Sequence, residues 1–190
     1  LTHEKLKSEY DKYKKDKSTN DDIMKQLWLH FETFKGRHTD LKDSIDLINE
    51  IDDFTIPTTQ TISFDSNKNT KEKAIFRLVR IGILKDYTVD QGSHKFEIDI
   101  NSFDLDDCKA KLLAYVTFSQ PGMVSIFKER LDSIKSSDKN RMNIQKLAKA
   151  LIDFTYKVVE SSRRRSLLEV VRMARNSKND EEIRTSINNY

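Results

Sequence analysis

Four glycines and two prolines in 190 residues leave this chain little material for tight turns. Folds made of many short strands need such punctuation, and so do the glycine-rich loops that wrap nucleotide phosphates. Helices do not. The apolar spacing agrees: Ile23, Leu27, Phe31 and Phe34 recur at helical intervals, followed by Leu41, Ile45, Ile48 and Ile51. Later sets are Leu105, Cys108, Leu112 and Tyr115; Val124, Phe127, Leu131 and Ile134; and Ile144, Leu147, Leu151, Phe154 and Val158. Gly36 reads as a helix stop, with a second helix starting at Thr39 or Asp40. Pro121-Gly122 reads as a break. Thr70 is placed to cap a helix over 71–81, which Gly82 ends where a left-handed residue is commonly needed.

Against this helical background one stretch alternates with period two. Tyr87 and Val89 on one side, and Phe96, Ile98 and Ile100 on the other, flank Gln91-Gly92-Ser93-His94. That pattern predicts a β-hairpin over 83–100. Residues 54–64, with Pro57 and alternation at 61–64, read as extended chain. The expected fold class is therefore mainly α with a β-hairpin.

Several chemistries are missing from the pattern. Gly36, Gly82, Gly92 and Gly122 never take the spacing of a P-loop, a dinucleotide fingerprint or a nucleophile elbow. Cys108 stands alone, and His3, His30, His38 and His94 are scattered, so no metal site is expected. Asp40 and Lys42, and Asp107 and Lys109, have a nuclease-like spacing. Both pairs fall in first turns of helices, where acids are expected for dipole reasons. No apolar run approaches the ~18 residues of a membrane span. A cytoplasmic, non-catalytic chain is expected on these grounds, and the opening on Leu1 and not on Met adds the expectation that it is a piece of a longer protein.

Two charge constellations remain. Lys73, Arg77 and Arg80 share one edge of the 71–81 helix, opposite Ala74, Ile75 and Leu78. A helix with an apolar back and a cationic edge, followed at once by a hairpin, has the shape of a winged helix set to meet a duplex. Alternatively the edge is simply a solvated basic face. The second constellation is hidden by the near-balanced total of 34 basic and 31 acidic residues. Between 139 and 175 stand ten basic residues, among them Arg163, Arg164 and Arg165, and three acids, a local +7. Residues 39–56 carry six acids and one Lys, a local −5. The basic block is thus either a phosphate-contacting patch or a dock for the acidic helix. Trp28, with Phe31 and Phe34, reads as core, and Cys108 as a buried, inert thiol.

Two runs resemble the region that follows the motor in RecQ-like bacterial DEAD/DEAH-box DNA helicases. These are KEKAIFRLVRIGILKDYTVD at 71–90 and LIDFTYKVVESSRRRSL at 151–167. The resemblance implies an accessory region of an ATP-dependent helicase, with ATP and magnesium held by a motor upstream in the same polypeptide. The architecture expected from the chain as a whole is a leading helical segment over 1–36, a winged-helix-like unit near 37–118 and a helical C-terminal unit near 119–190. Duplex or fork DNA would be the partner, met by Lys73, Arg77 and Arg80; on the phosphate-patch reading of the basic block, Arg163, Arg164 and Arg165 would join them. Gln91, Gly92, Ser93 and His94 would form the strand-separating pin. The four-cysteine zinc module of many RecQ proteins has no counterpart, and the pin lacks a large aromatic. Other classes left open are a protein-interaction or regulatory module and a winged-helix transcription regulator.

Overall fold

The computed structural model describes residues 21–160, together with residues 8, 11, 12, 15, 165–169 and 172; of residues 21–34, 159 and 160 it describes the backbone alone. The elements are α1 (Asp21–Glu50), β1 (Thr58–Ser63), α2 (Lys68–Ile81), β2 (Leu84–Asp90), β3 (Lys95–Ile100), α3 (Leu105–Ser119), α4 (Val124–Asp132) and α5 (Asn140–Thr155). A 3-10 turn, Pro121–Met123, precedes α4, and a π-helical turn, Tyr156–Glu160, follows α5. The described residues are mostly helical with one small antiparallel sheet, as the composition implies. None of their helices is long and apolar enough to cross a membrane.

Contacts divide the chain into two units, residues 38–153 and residues 1–37 with 154–190. The first takes in nearly all of the stretch read as 37–118 and also residues 119–153. Its sheet has the order β1-β3-β2, so the strand read as loose extended chain pairs with the hairpin's second strand. Ile62 faces Phe96 across β1 and β3, and Val89 faces Phe96 across β2 and β3. Ile62, Phe96, Ile98 and Ile100 are buried while Lys95, Glu97 and Asp99 are exposed, which gives the period-two pattern of a sheet covered on one side. Ala74, Ile75, Leu78 and Ile81 of α2, Leu47 and Ile48 of α1, and Leu112 and Val116 of α3 complete the core. Phe127 and Leu131 of α4 and Ile144, Leu147 and Ala148 of α5 are likewise buried.

Helix ends follow local chemistry. Gly82 takes φ 89°, and the N–H groups of Gly82 and Ile83 donate to the carbonyls of Val79 and Leu78 at 3.0 Å each. This paired closure satisfies two carbonyls that the last turn would otherwise leave open. Asp104 caps α3 by accepting from the Asp107 N–H at 2.8 Å. The start of α2 differs from expectation. The helix begins at Lys68, ahead of Thr70, and Asn67 accepts from the Asp65 N–H (3.1 Å) and makes no capping bond. Cys108 is 1% exposed, and burial, helped by the negative charge of Asp107, pushes its thiol up to about 12. A thiol reagent at pH 8 should therefore leave the native chain unmodified and label this single cysteine stoichiometrically in denaturant; rapid labelling of the native state would contradict the packing.

The other unit contains the first part of α1 and the turn after α5. Here the expected stop at Gly36 is corrected, because α1 runs through it without a break. A Cβ at Gly36 would lie 2.8 Å from the Tyr156 hydroxyl. The glycine admits a ring, at the ~1 kcal/mol that glycine costs a helix interior. Residues 165–169 are helical. Arg163, Arg164 and Arg175 lie outside the described residues, as do the side chains of Trp28, Phe31 and Phe34.

Candidate nucleic-acid interface

The three cations of α2 meet different fates. Lys73 is exposed, and among the described residues it has no ion-pair partner. Arg77 is half-buried: its Nη2 lies 2.8 Å from Asp40 Oδ2 of α1, and its Nη1 is buried with no hydrogen-bond partner. Its guanidinium thus faces the protein. Arg80 is exposed and stacked, with its guanidinium carbon 4.4 Å from the Tyr115 ring centroid and 5.1 Å from that of Phe76. Such stacking pre-orients a cation while leaving its outer edge open to an anion.

The hairpin tip is exposed from Gln91 to His94, but the backbone donors of Gly92 and Ser93 are taken. Asp90 Oδ1 accepts from the N–H groups of Gly92 (2.9 Å) and Ser93 (3.2 Å), and Oδ2 from the Ser93 hydroxyl (2.6 Å). The Ser93 bonds, side chain first, hold the Asp90 carboxyl below the usual carboxylate range. A carboxylate seated on these two N–H groups occupies the place a phosphate oxygen would take on them. The positive φ of the turn is at His94 (55°) and not at Gly92. The His94 ring lies 5.7 Å from that of Phe64, and its carbonyl accepts from the Phe64 N–H at 2.9 Å. The tip ring therefore leans back toward the end of β1.

Four of the seven described cations of the basic block are engaged within the chain. Arg141 donates to the carbonyls of Ile48 and of Ile51 (2.9 Å), and stacks 5.2 Å from the Phe54 ring centroid. It thereby closes the C-terminal end of α1, where the helix dipole favours a cation. Lys146 pairs with Asp138 at 2.5 Å, and Asp153 receives both Arg130 (2.5 Å) and Lys149 (2.7 Å). Burial alone would raise the Asp153 carboxyl, but the bonds from Lys149 and Arg130 outweigh it and hold the group below the usual range. Arg172 pairs with Glu169 at 3.3 Å. Lys139, Lys157 and Arg165 are exposed. On the acidic side, Asp40 meets Arg77, Glu50 meets Lys71 at 3.0 Å, and Asp46 meets Lys42 at 2.5 Å.

The nuclease-like pairs are engaged elsewhere too. Lys109 donates to the Ile134 carbonyl at 2.6 Å, and Asp107 pairs with Lys111 at 2.8 Å. Among the described residues no cluster of three or more His, Cys, Asp or Glu side chains is placed to hold a metal ion.

One feature went unread in the sequence. Phe76, Val79 and Arg80 of α2 and Lys111, Ala114, Tyr115 and Phe118 of α3 line an open groove of about 470 Å³. The available signal was Phe118, an aromatic outside the Leu112–Val116 stripe, together with Lys111 and Tyr115 at helical spacing from it. No known protein-family model, curated protein or solved structure matches the chain.

Proposed function

We propose that this chain is a DNA-binding accessory region of a RecQ-like, ATP-dependent DNA helicase, non-catalytic in itself, cytoplasmic, and gripping duplex or fork DNA for a motor in the same polypeptide. The observation that carries the reading is the outer edge of α2, where Lys73 and Arg80 stand exposed without acid partners among the described residues, directly ahead of the hairpin. The β1-β3-β2 order with a helix between β1 and β2 supports a winged-helix-like unit, although one helix stands where a full winged helix has two. The duplex contacts in this reading are Lys73 and Arg80. Arg77 acts as a strut to Asp40, and at the hairpin tip the Gly92 and Ser93 N–H groups are engaged by Asp90.

The test is fluorescence anisotropy of a labelled fork across a salt series. Affinity should fall steeply with salt, and Lys73→Ala and Arg80→Ala should each shallow the log–log slope by about 0.9. Arg77→Ala should leave that slope unchanged and lower stability by about 1–2 kcal/mol, the cost of unpairing a partly buried carboxylate. Salt-independent affinity would remove the reading. Phe118 and Ile126, 90% and 55% exposed, favour one rival, a protein-docking module.

A further inference from the structure

The groove between α2 and α3 combines two things that solvent-facing helices seldom bring together. Three aromatic rings, Phe76, Tyr115 and Phe118, line it, and two of them stand well out of the core: Phe76 is half exposed and Phe118 almost wholly so. Two cations, Arg80 and Lys111, line it with them, and none of the seven lining residues is acidic. Arg80 lies over the Phe76 and Tyr115 rings, so its guanidinium plane continues the aromatic surface. Lys111 runs its stem across Gly82, where a Cβ would meet its Cδ at 2.7 Å. Its ammonium is held by Asp107 at 2.8 Å, an exposed pair that an incoming anion can exchange at little cost.

An occupant must therefore offer flat apolar faces and negative charge along one strand. Duplex DNA offers charge but keeps its base faces stacked inside. We infer that the α2–α3 groove is a binding track for single-stranded nucleic acid, with unstacked bases resting on Phe118, on Phe76 and on the Arg80 plane, and phosphates meeting Arg80 and Lys111. Stacking on aromatics beside cations is the sequence-tolerant mode by which proteins hold single strands. The inference deepens the proposed function, since it relies on a nucleic-acid partner, and adds a strand beside the Lys73 edge, with Arg80 at the border shared by the two. A fork supplies both forms at once.

The test uses the full chain with three labelled probes: an oligothymidylate of about 15 nucleotides, a blunt duplex of equal length, and an acidic peptide of alternating Glu and Phe. Phe118→Ala and Phe76→Ala remove exposed side chains, so folding is preserved, and circular dichroism checks this. Each should weaken oligothymidylate binding about tenfold and leave its salt slope unchanged, and Phe118→Ala should leave duplex affinity within about twofold, as expected for loss of a stacked base and not of a phosphate contact. Ile126→Ala, on an exposed apolar residue outside the groove, should change none of these.

If the oligothymidylate binds equally well to wild type and to both phenylalanine variants, the inference is overturned while the duplex reading stands. If it binds in a Phe118-dependent way and the duplex does not bind, the duplex reading fails and the inference stands. If only the acidic peptide binds, and needs Phe118, the groove is a protein dock and both fail.

Discussion

Replacing Arg141 with Ala should lower the unfolding free energy by about 3 kcal/mol, a drop of about 10 °C in Tm for a chain of this size. Its guanidinium reaches the carbonyls of Ile48 and Ile51 at the end of α1 and covers the Phe54 ring. Truncation would strand those carbonyls beside a partly buried cavity and remove the cation from the negative end of the helix dipole. Arg141→Lys should recover less than half, because a single ammonium cannot fork to two acceptors while stacking flat on a ring. Urea denaturation of the three proteins measures both numbers. A loss within about 0.5 kcal/mol for Arg141→Ala would mean that α1 needs no such closure.

A second large effect belongs to Phe96. Its side chain is fully buried, 4.7 Å from the Phe64 ring and 6.2 Å from that of Tyr87, at the point of β3 that faces both Ile62 and Val89. Phe96→Ala should cost about 3–5 kcal/mol, the usual range for emptying an aromatic site that neighbours cannot refill. The same denaturation series should show it, and amide exchange should accelerate across β1 and β2 together, since β3 is the strand both pair with. Faster exchange in β2 alone would contradict the central role of β3.

The hairpin was legible because alternation along 87–100 and burial on one face are the same fact stated twice. Gly82 was legible too, since a glycine straight after an apolar helical set is the common sign of a left-handed closure. Gly36 carried the same letter and a different meaning. It admits the Tyr156 ring, a contact made from far along the chain that no local pattern announces. Charges behaved in the same way. A helical wheel put Lys73, Arg77 and Arg80 on one edge, but only the packed chain shows Asp40 meeting the middle one. The +7 and −5 segments do meet, and they do so through Arg141 and the backbone at the end of α1. The α2–α3 groove exists only once two helices converge, so its residues read singly as surface.

Gly82 and Ile83 alone separate α2 from β2, and the junction is bolted from outside: Asn101 Nδ2 donates to the Gly82 carbonyl and the Asn101 N–H to that of Ile83, each at 3.0 Å. With no slack at that joint, the ribbon cannot swing as a hinged arm. Residues 91–94 and the edge that carries Lys73 and Arg80 thus belong to one continuous hydrogen-bonded piece, and the distance between them is set by the fold.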